Sequence, residues 1–437
     1  MSRLGRIVEW IALLGPLVAI LHVVLRYGVN FPFADQWDFV AFFIVQERGE
    51  LRWSDIWALH NEHRMVTPKL AMLGLAWVTR WNIVAEMLVS VSLALASLGV
   101  LRGLARPILD EAGQTTRIWI ALTLSLHVFS LAQGTNWLWG WQIQWFLSLF
   151  AAVLSIALAT WSLQAQRPWV YVFGSAVAAL VCQYSIASGL VAWGASALVL
   201  AFHPLRRRIL PLWLGLIAVA STVYFIGYVR HDGLPSLVVA LDRPMALLEY
   251  VGNYLSGPLG RHAAVGIAVA IAFTALALIA ARRQWRKPEL FMPWVALGAF
   301  AGGNALLTGI GRLGMGAEQG LASRYVTIGL LMSVALVPLG ILAFHAWPAG
   351  RRSPLKLAAA VAGAALLTLP AIVVDARSMT ELKTFSRQII AGRKCVTGID
   401  AETDACLVHL HPDPAVVRLR APQLKALGLS GFAPNSR

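Results

Sequence analysis

The sequence predicts an all-α polytopic membrane protein with about eleven transmembrane helices, on three observations. Hydrophobic residues make up 58% of the 437 and charged residues only 13%, whereas a soluble domain of this size is nearer one quarter charged. Apolar runs long enough to cross about 30 Å of hydrocarbon recur along almost the whole chain. The Lys and Arg residues behind the net charge of +15 stand in short clusters between alternate runs. That is the positive-inside pattern, and it excludes reading the charge as a nucleic-acid surface.

Arg3 and Arg6 precede the first apolar run, 7–25, which is long for a signal-peptide core and has no small-residue cleavage site after it. It is expected to be the first span, with the N-terminus cytoplasmic. The stretch 65–78 is apolar but short and carries Pro68 and Lys69, so it is expected to be interfacial or re-entrant. Further spans are expected at 83–100, 118–131, 143–161, 169–182, 190–202, 209–228, 263–281, 290–307, 326–345 and 357–374. Arg102 and Arg106, Arg167, Arg206 to Arg208, Arg282 to Lys287, and Arg351, Arg352 and Lys356 then fall on one side, in a multi-pass protein of a bacterial inner membrane.

The expected division is a transmembrane catalytic domain, 1–374, with external loops 28–82, 229–262 and 309–325, and a short external tail, 375–437. The tail holds Cys395 and Cys406, two of only three cysteines, spaced for a disulfide in an oxidising compartment. Its LHPDPAVVRLRAPQLKALGL reads as a Pro-started helix docked on the membrane domain. No internal repeat with matched broken helices is visible, and most spans lack an ionisable residue in their middle third. A transporter or flippase, the rival reading, therefore has little to work with.

Polar chemistry concentrates instead in the loops. Phe31 to Arg64 carries six of the chain's 21 acidic residues, with helices expected at 36–46 and 54–60. Asp35 and Asp38, three apart, can share one helix face; either can act as a base towards a hydroxyl, or Asp35 can cap a helix whose dipole Asp38 supports. His60, Glu62, His63 and Arg64 suit a phosphate or a sugar, with His63 able to shuttle protons near pH 7. They leave a divalent metal open as a cofactor, although the histidines are not spaced i, i+4; no other cofactor is implied. Trp137, Trp139, Trp141 and Trp145 fit an aromatic belt better than a sugar platform, but Gln142 has no anchoring role, and it and the adjacent Trp141 are kept as binding residues. Gly309 to Gly320 holds five glycines and is expected to be a mobile loop approaching a ligand. Arg312 and Arg324 flank it, with Tyr325 adjacent. Arg324 is expected to hold a phosphate, or else to pair with Glu318 or a first-loop acid.

This pattern resembles the membrane glycosyltransferases of the GT-C superfamily. There an acid in the first external loop is the base, the donor is a sugar on a polyprenyl phosphate, and later loops hold that phosphate with basic residues. The resemblance covers the membrane domain and implies Asp35 or Asp38 as base and Arg324, with Arg312, as phosphate ligands. In the commoner motif the acids are adjacent or one residue apart, so the three-residue spacing leaves two candidates. The implied reaction is inverting transfer to a cell-envelope glycan or glycolipid acceptor. An O-antigen-type polymerase or ligase is the nearest alternative, and the early acidic loop argues against it.

Overall fold

The computed structural model describes residues 2–229, 236–345, 354–397 and 404–433. Among them the chain is helical, with no β-strand. Helix α1 (Arg3–Tyr27) is capped by Ser2, whose hydroxyl accepts the Gly5 N–H at 3.1 Å. The first-loop helices follow as α2 (Gln36–Glu47), α3 (Trp53–Trp57) and α4 (Val66–Thr79), then α5 (Ile83–Glu111), capped by Asn82. Next come α6 (Gln114–Val128), α7 (Ile143–Ser162), α8 (Pro168–Gln183), α9 (Val191–Leu200), α10 (Arg206–Phe225), α11 (Val238–Asp242), α12 (Pro244–Ser256) and α13 (Ala263–Gln284). The chain closes with α14 (Pro288–Arg312), α15 (Ser323–His345), α16 (Pro354–Thr397), α17 (Asp404–Leu407) and α18 (Pro414–Leu427). Proline opens α8, α12, α14 and α18, where its missing N–H costs no hydrogen bond.

Among the described residues seven helices are long and apolar enough to cross a membrane, or eight if α6 and the 3-10 turn after it, bent by 42°, form one span. Every expected span coincides with a helix, but α8 and α9 are too short to pass that test, α6 passes only with its bent partner, and α16 is not among the seven. In α7 and α15, 78% of the apolar window is buried, against 22% in α10 and 17% in α13. The first two therefore form the centre, and the last two turn their apolar surface to lipid.

Polar groups inside the bundle join helices. Ser155 of α7 bonds Ser175 of α8 at 3.1 Å and Ser196 of α9 at 2.8 Å. Gln183 of α8 takes the Trp193 indole N–H at 2.7 Å and donates to the Ala220 carbonyl at 3.0 Å. In hydrocarbon such groups must find partners within the protein. Glycines set the α12–α13 crossing: a Cβ on Gly266 would lie 1.8 Å from the Gly252 carbonyl oxygen. Gly266→Val should separate these helices and cost about 1–3 kcal/mol, read as a lower unfolding temperature in detergent; an unchanged midpoint would show that the crossing yields freely.

Two expectations are corrected. The long loop 229–262 contains α11 and α12, started by Pro244 and stopped by Gly257 at φ 37°; residues 230–235 lie outside the described residues. The glycine-rich stretch is not an open loop, because α14 runs on through Gly309 and two 3-10 turns follow. Two of its glycines serve packing: a Cβ on Gly309 would lie 2.8 Å from Leu247 Cδ1, and one on Gly320 would meet the Tyr250 carbonyl at 2.6 Å. The domain boundary at 374 falls within the unbroken α16. Arg351 and Arg352 lie outside the described residues.

The disulfide and the docked helix of the tail are as expected. Cys395 and Cys406 form a disulfide with Cα atoms 6.2 Å apart. Pro414 starts α18 behind the Asp413 cap, and α18 packs on α2.

Candidate functional site

Helices α1, α8, α10 and α14 end, and α7 and α15 begin, at the same end of the bundle. The connections there enclose a cavity of about 540 Å³, within the usual range for small-molecule sites. It brings together residues more than 280 positions apart: Asp35, His60, Glu62 and His63 from the first loop, Trp141 and Gln142 ahead of α7, and Arg312, Arg324 and Tyr325 around the start of α15.

Asp35 stands just before α2, yet its side chain makes no capping hydrogen bond. It lies 3.4 Å from His60 Nε2, with 38% of its side chain open. Burial acts to raise its pKa, but the His60 hydrogen bond and the charges of His60, Arg324 and His411 outweigh that and hold the carboxyl below its ordinary range. The preceding Ala34 has φ 46°, a left-handed conformation costly for any residue with a Cβ. It is held from several sides. The Phe33 N–H donates to Gln36 Oε1 at 3.3 Å, Gln36 Nε2 donates to Glu86 at 3.0 Å, and the Trp81 indole donates to the other Glu86 oxygen at 3.0 Å. The Trp139 indole donates to the Phe33 carbonyl at 3.1 Å. Asp38 departs from expectation: it is exposed in the first turn of α2, 4.0 Å from His411 Nε2, and does not line the cavity.

His60 to His63 form a tight turn rather than a helix end, closed by His60 N–H to the His63 carbonyl at 2.9 Å and the reverse bond at 3.0 Å, with Asn61 at φ 51°. Glu62 pairs with Arg312. Burial works against its carboxylate, but His63 and Arg312 lower its pKa below the ordinary range. His63 accepts the Ala187 N–H on Nδ1 at 3.0 Å and turns Nε2 to Glu62 at 3.4 Å. Burial drives its pKa from 6.5 to about 4, Glu62 opposing and Arg312 reinforcing. It is therefore neutral near pH 7, a fixed support rather than the shuttle the sequence suggests, and Arg312 is the charge that keeps Glu62 ionised.

A pH dependence follows. Between about 4 and 6.5 the unfolded chain binds a proton at His63 that the folded protein does not, so this group's contribution to stability falls as pH drops through that window. Unfolding midpoints at pH 7 and 5 should converge in His63→Gln, which can still accept from Ala187. An unaltered pH difference in that variant would refute the assignment.

Arg64 is likewise no cavity ligand. It is buried, stacked 4.8 Å from the Trp57 ring, and donates to the carbonyls of Trp57 at 2.9 Å and Tyr224 at 2.5 Å, and to that of Ile226. It thus satisfies the end of α10, as cations at helix C-termini do.

The tryptophans are not a boundary belt. Trp137 is core, while Trp139, Trp141 and Trp145 line the cavity, Trp141 with its ring 5.0 Å from that of His60. Glu62 Oε2, Gln142 Oε1 and Gln144 Oε1 are buried without a hydrogen-bond partner among the described residues, an arrangement that asks for donors from a ligand. Arg324 lies 5.0 Å from the Tyr325 ring and forms no ion pair among the described residues, with Glu318 or any first-loop acid. Among the described residues no three His, Cys, Asp or Glu side chains converge as a metal site.

Sequence reasoning missed Ser188, Tyr224, Tyr228 and Thr308 in the lining, which carry no local signal. It also missed Glu86, fully buried in α5, where a carboxylate inside an apolar run was signal enough.

Fold and cavity define a class: a helical membrane protein with a charged, aromatic-lined cavity at one end of its bundle. No particular relative can be set beside it, since no known protein family, curated protein or solved structure matches the chain significantly.

Proposed function

We propose that the protein is an inverting glycosyltransferase of the GT-C type, moving a sugar from a polyprenyl-phosphate donor to a hydroxyl of a cell-envelope glycan or glycolipid. The observation that carries this reading is the cavity's polar inventory: an ionised Asp35, an Arg324 without an ion-pair partner among the described residues, and three orphaned acceptor oxygens on Glu62, Gln142 and Gln144. Orphaned acceptors suit a ligand rich in hydroxyls, and the faces of Trp139, Trp141 and Trp145 suit the apolar faces of a sugar ring. The lining also has apolar members, Leu190, Leu237, Leu307 and Ile310. Leu237 and Leu307 in this lining are also exposed, which suits a lipid-linked donor.

In the reaction, Asp35 takes the proton of the acceptor hydroxyl, whose oxygen attacks the anomeric carbon from the face opposite the phosphate. The bond from carbon to phosphate oxygen breaks and the phosphate leaves with the electron pair. Arg324 offsets the charge developing there, and His60 orients the carboxylate. The protein reconstituted in liposomes with polyprenyl-phosphate sugars and glycan acceptors should give mass-labelled product; acyl transfer from acyl donors, or no product, would overturn the reading.

The accompanying topology has eleven spans, the N-terminus cytoplasmic and the C-terminus and cavity external, because Arg102, Arg106, Arg167, Arg207 and Arg286 fall opposite the cavity end under the positive-inside rule. Reporter fusions should report position 142 outside and position 286 inside. The opposite result at position 286 would break the assignment.

A further inference from the structure

The tail reaches the turn that carries Asp35. The Ala34 N–H, one residue before the acid and in a left-handed conformation, donates to the Leu410 carbonyl at 2.7 Å. The next residue, His411, points Nε2 at Asp38 from 4.0 Å and accepts the Asp413 N–H on Nδ1 at 3.0 Å. Leu410 is fully buried, wedged against α16, where a Cβ on Gly392 would lie 2.5 Å from Leu410 Cγ. Gln388 of α16 donates to the His409 carbonyl at 3.1 Å. The Cys395–Cys406 bridge ties this same segment to the same helix. Phe385, a few turns back along α16, sets its ring edge-on to Phe33 at 4.9 Å. A strained residue beside a reactive carboxylate persists only where its surroundings over-determine it, and much of what surrounds Ala34 is tail.

We propose that the Cys395–Cys406 bridge regulates the candidate site by redox state: oxidised, it fastens the 407–411 segment whose Leu410 carbonyl positions the Asp35 turn, so the site is fully assembled only after oxidation. This rests on the reading of Asp35 as the site's acid. Forming the bridge joins two thiol sulfurs and releases two protons and two electrons. The acceptor is the disulfide of a thiol oxidoreductase, which becomes a dithiol. Leu410 and the bridge are positioning elements; neither touches the cavity.

The test is hydrogen exchange on the full-length protein in detergent, which reads the turn without any transfer activity. Three preparations are compared with the oxidised protein: protein treated with a phosphine reductant, the Cys395→Ser/Cys406→Ser double variant, and Gly392→Val, which keeps the bridge but displaces Leu410. In all three, exchange at the Ala34 amide should quicken about fivefold or more, with peptides of α7 unchanged. Unchanged Ala34 exchange in any of them, or equal quickening in α7, overturns the proposal. The exchange change without any sugar transfer would overturn the transferase reading alone.

Discussion

Asp35→Asn should lower turnover by about two orders of magnitude or more while leaving expression, unfolding temperature and donor affinity close to those of the wild type. The structure sharpens this expectation, because the Asp35 side chain caps nothing and the turn around it is held through Phe33, Ala34 and Gln36 rather than through the carboxylate. Asparagine keeps the size and can still face His60, but it cannot take a proton. Asp38→Asn is the matched control. Its carboxylate is exposed and outside the cavity, so activity should stay within about a factor of two, as for most surface substitutions away from special features. Single-turnover kinetics on reconstituted protein, with the donor saturating, separates the two. Full activity in Asp35→Asn would remove the base, and a dead Asp38→Asn beside an active Asp35→Asn would move it by three residues.

Much of this architecture was legible from the sequence. Hydropathy located every helix expected to span, since each must satisfy its own backbone and shows an apolar run in doing so. The separate stretches around Asp35, Gln142 and Arg324 were each identifiable as polar concentrations at the ends of apolar runs. That they meet in one cavity rests on the alternation of spans, which puts all three at the same end. What the sequence could not supply was partnering. Arg64 and Arg312 are both arginines beside polar loops, yet one satisfies the carbonyls that end α10 and the other pairs with Glu62, 250 positions away. The neutrality of His63 depends on how deeply the turn is buried, and Gly309 and Gly320 read as loop because Tyr250, against which both pack, lies on a helix folded against them. These are tertiary facts without a local period.

The two arginines of that late stretch should respond oppositely to substitution. Arg312 pairs with Glu62, and both side chains are largely buried, at 19% and 15% exposure. Arg312→Ala leaves that carboxylate unpaired, which for a buried pair costs about 3–5 kcal/mol, and the variant should unfold at a clearly lower temperature. The loss should shrink in the Glu62→Gln/Arg312→Ala double variant, since no lone charge is left behind. Arg324 has no carboxylate partner to abandon among the described residues, so Arg324→Lys and Arg324→Ala should unfold close to the wild type. Their defect should be in binding. Lysine keeps the charge but loses the fork that grips two phosphate oxygens at once, so a polyprenyl phosphate without sugar should bind about ten- to a hundredfold more weakly. Alanine should weaken it further. Titration of tryptophan fluorescence with that lipid measures the change directly, because Trp139, Trp141 and Trp145 line the same cavity. Wild-type affinity in Arg324→Ala would show that the phosphate is held elsewhere. A loss of stability in Arg324→Ala equal to that of Arg312→Ala would make Arg324 a structural residue instead of a ligand.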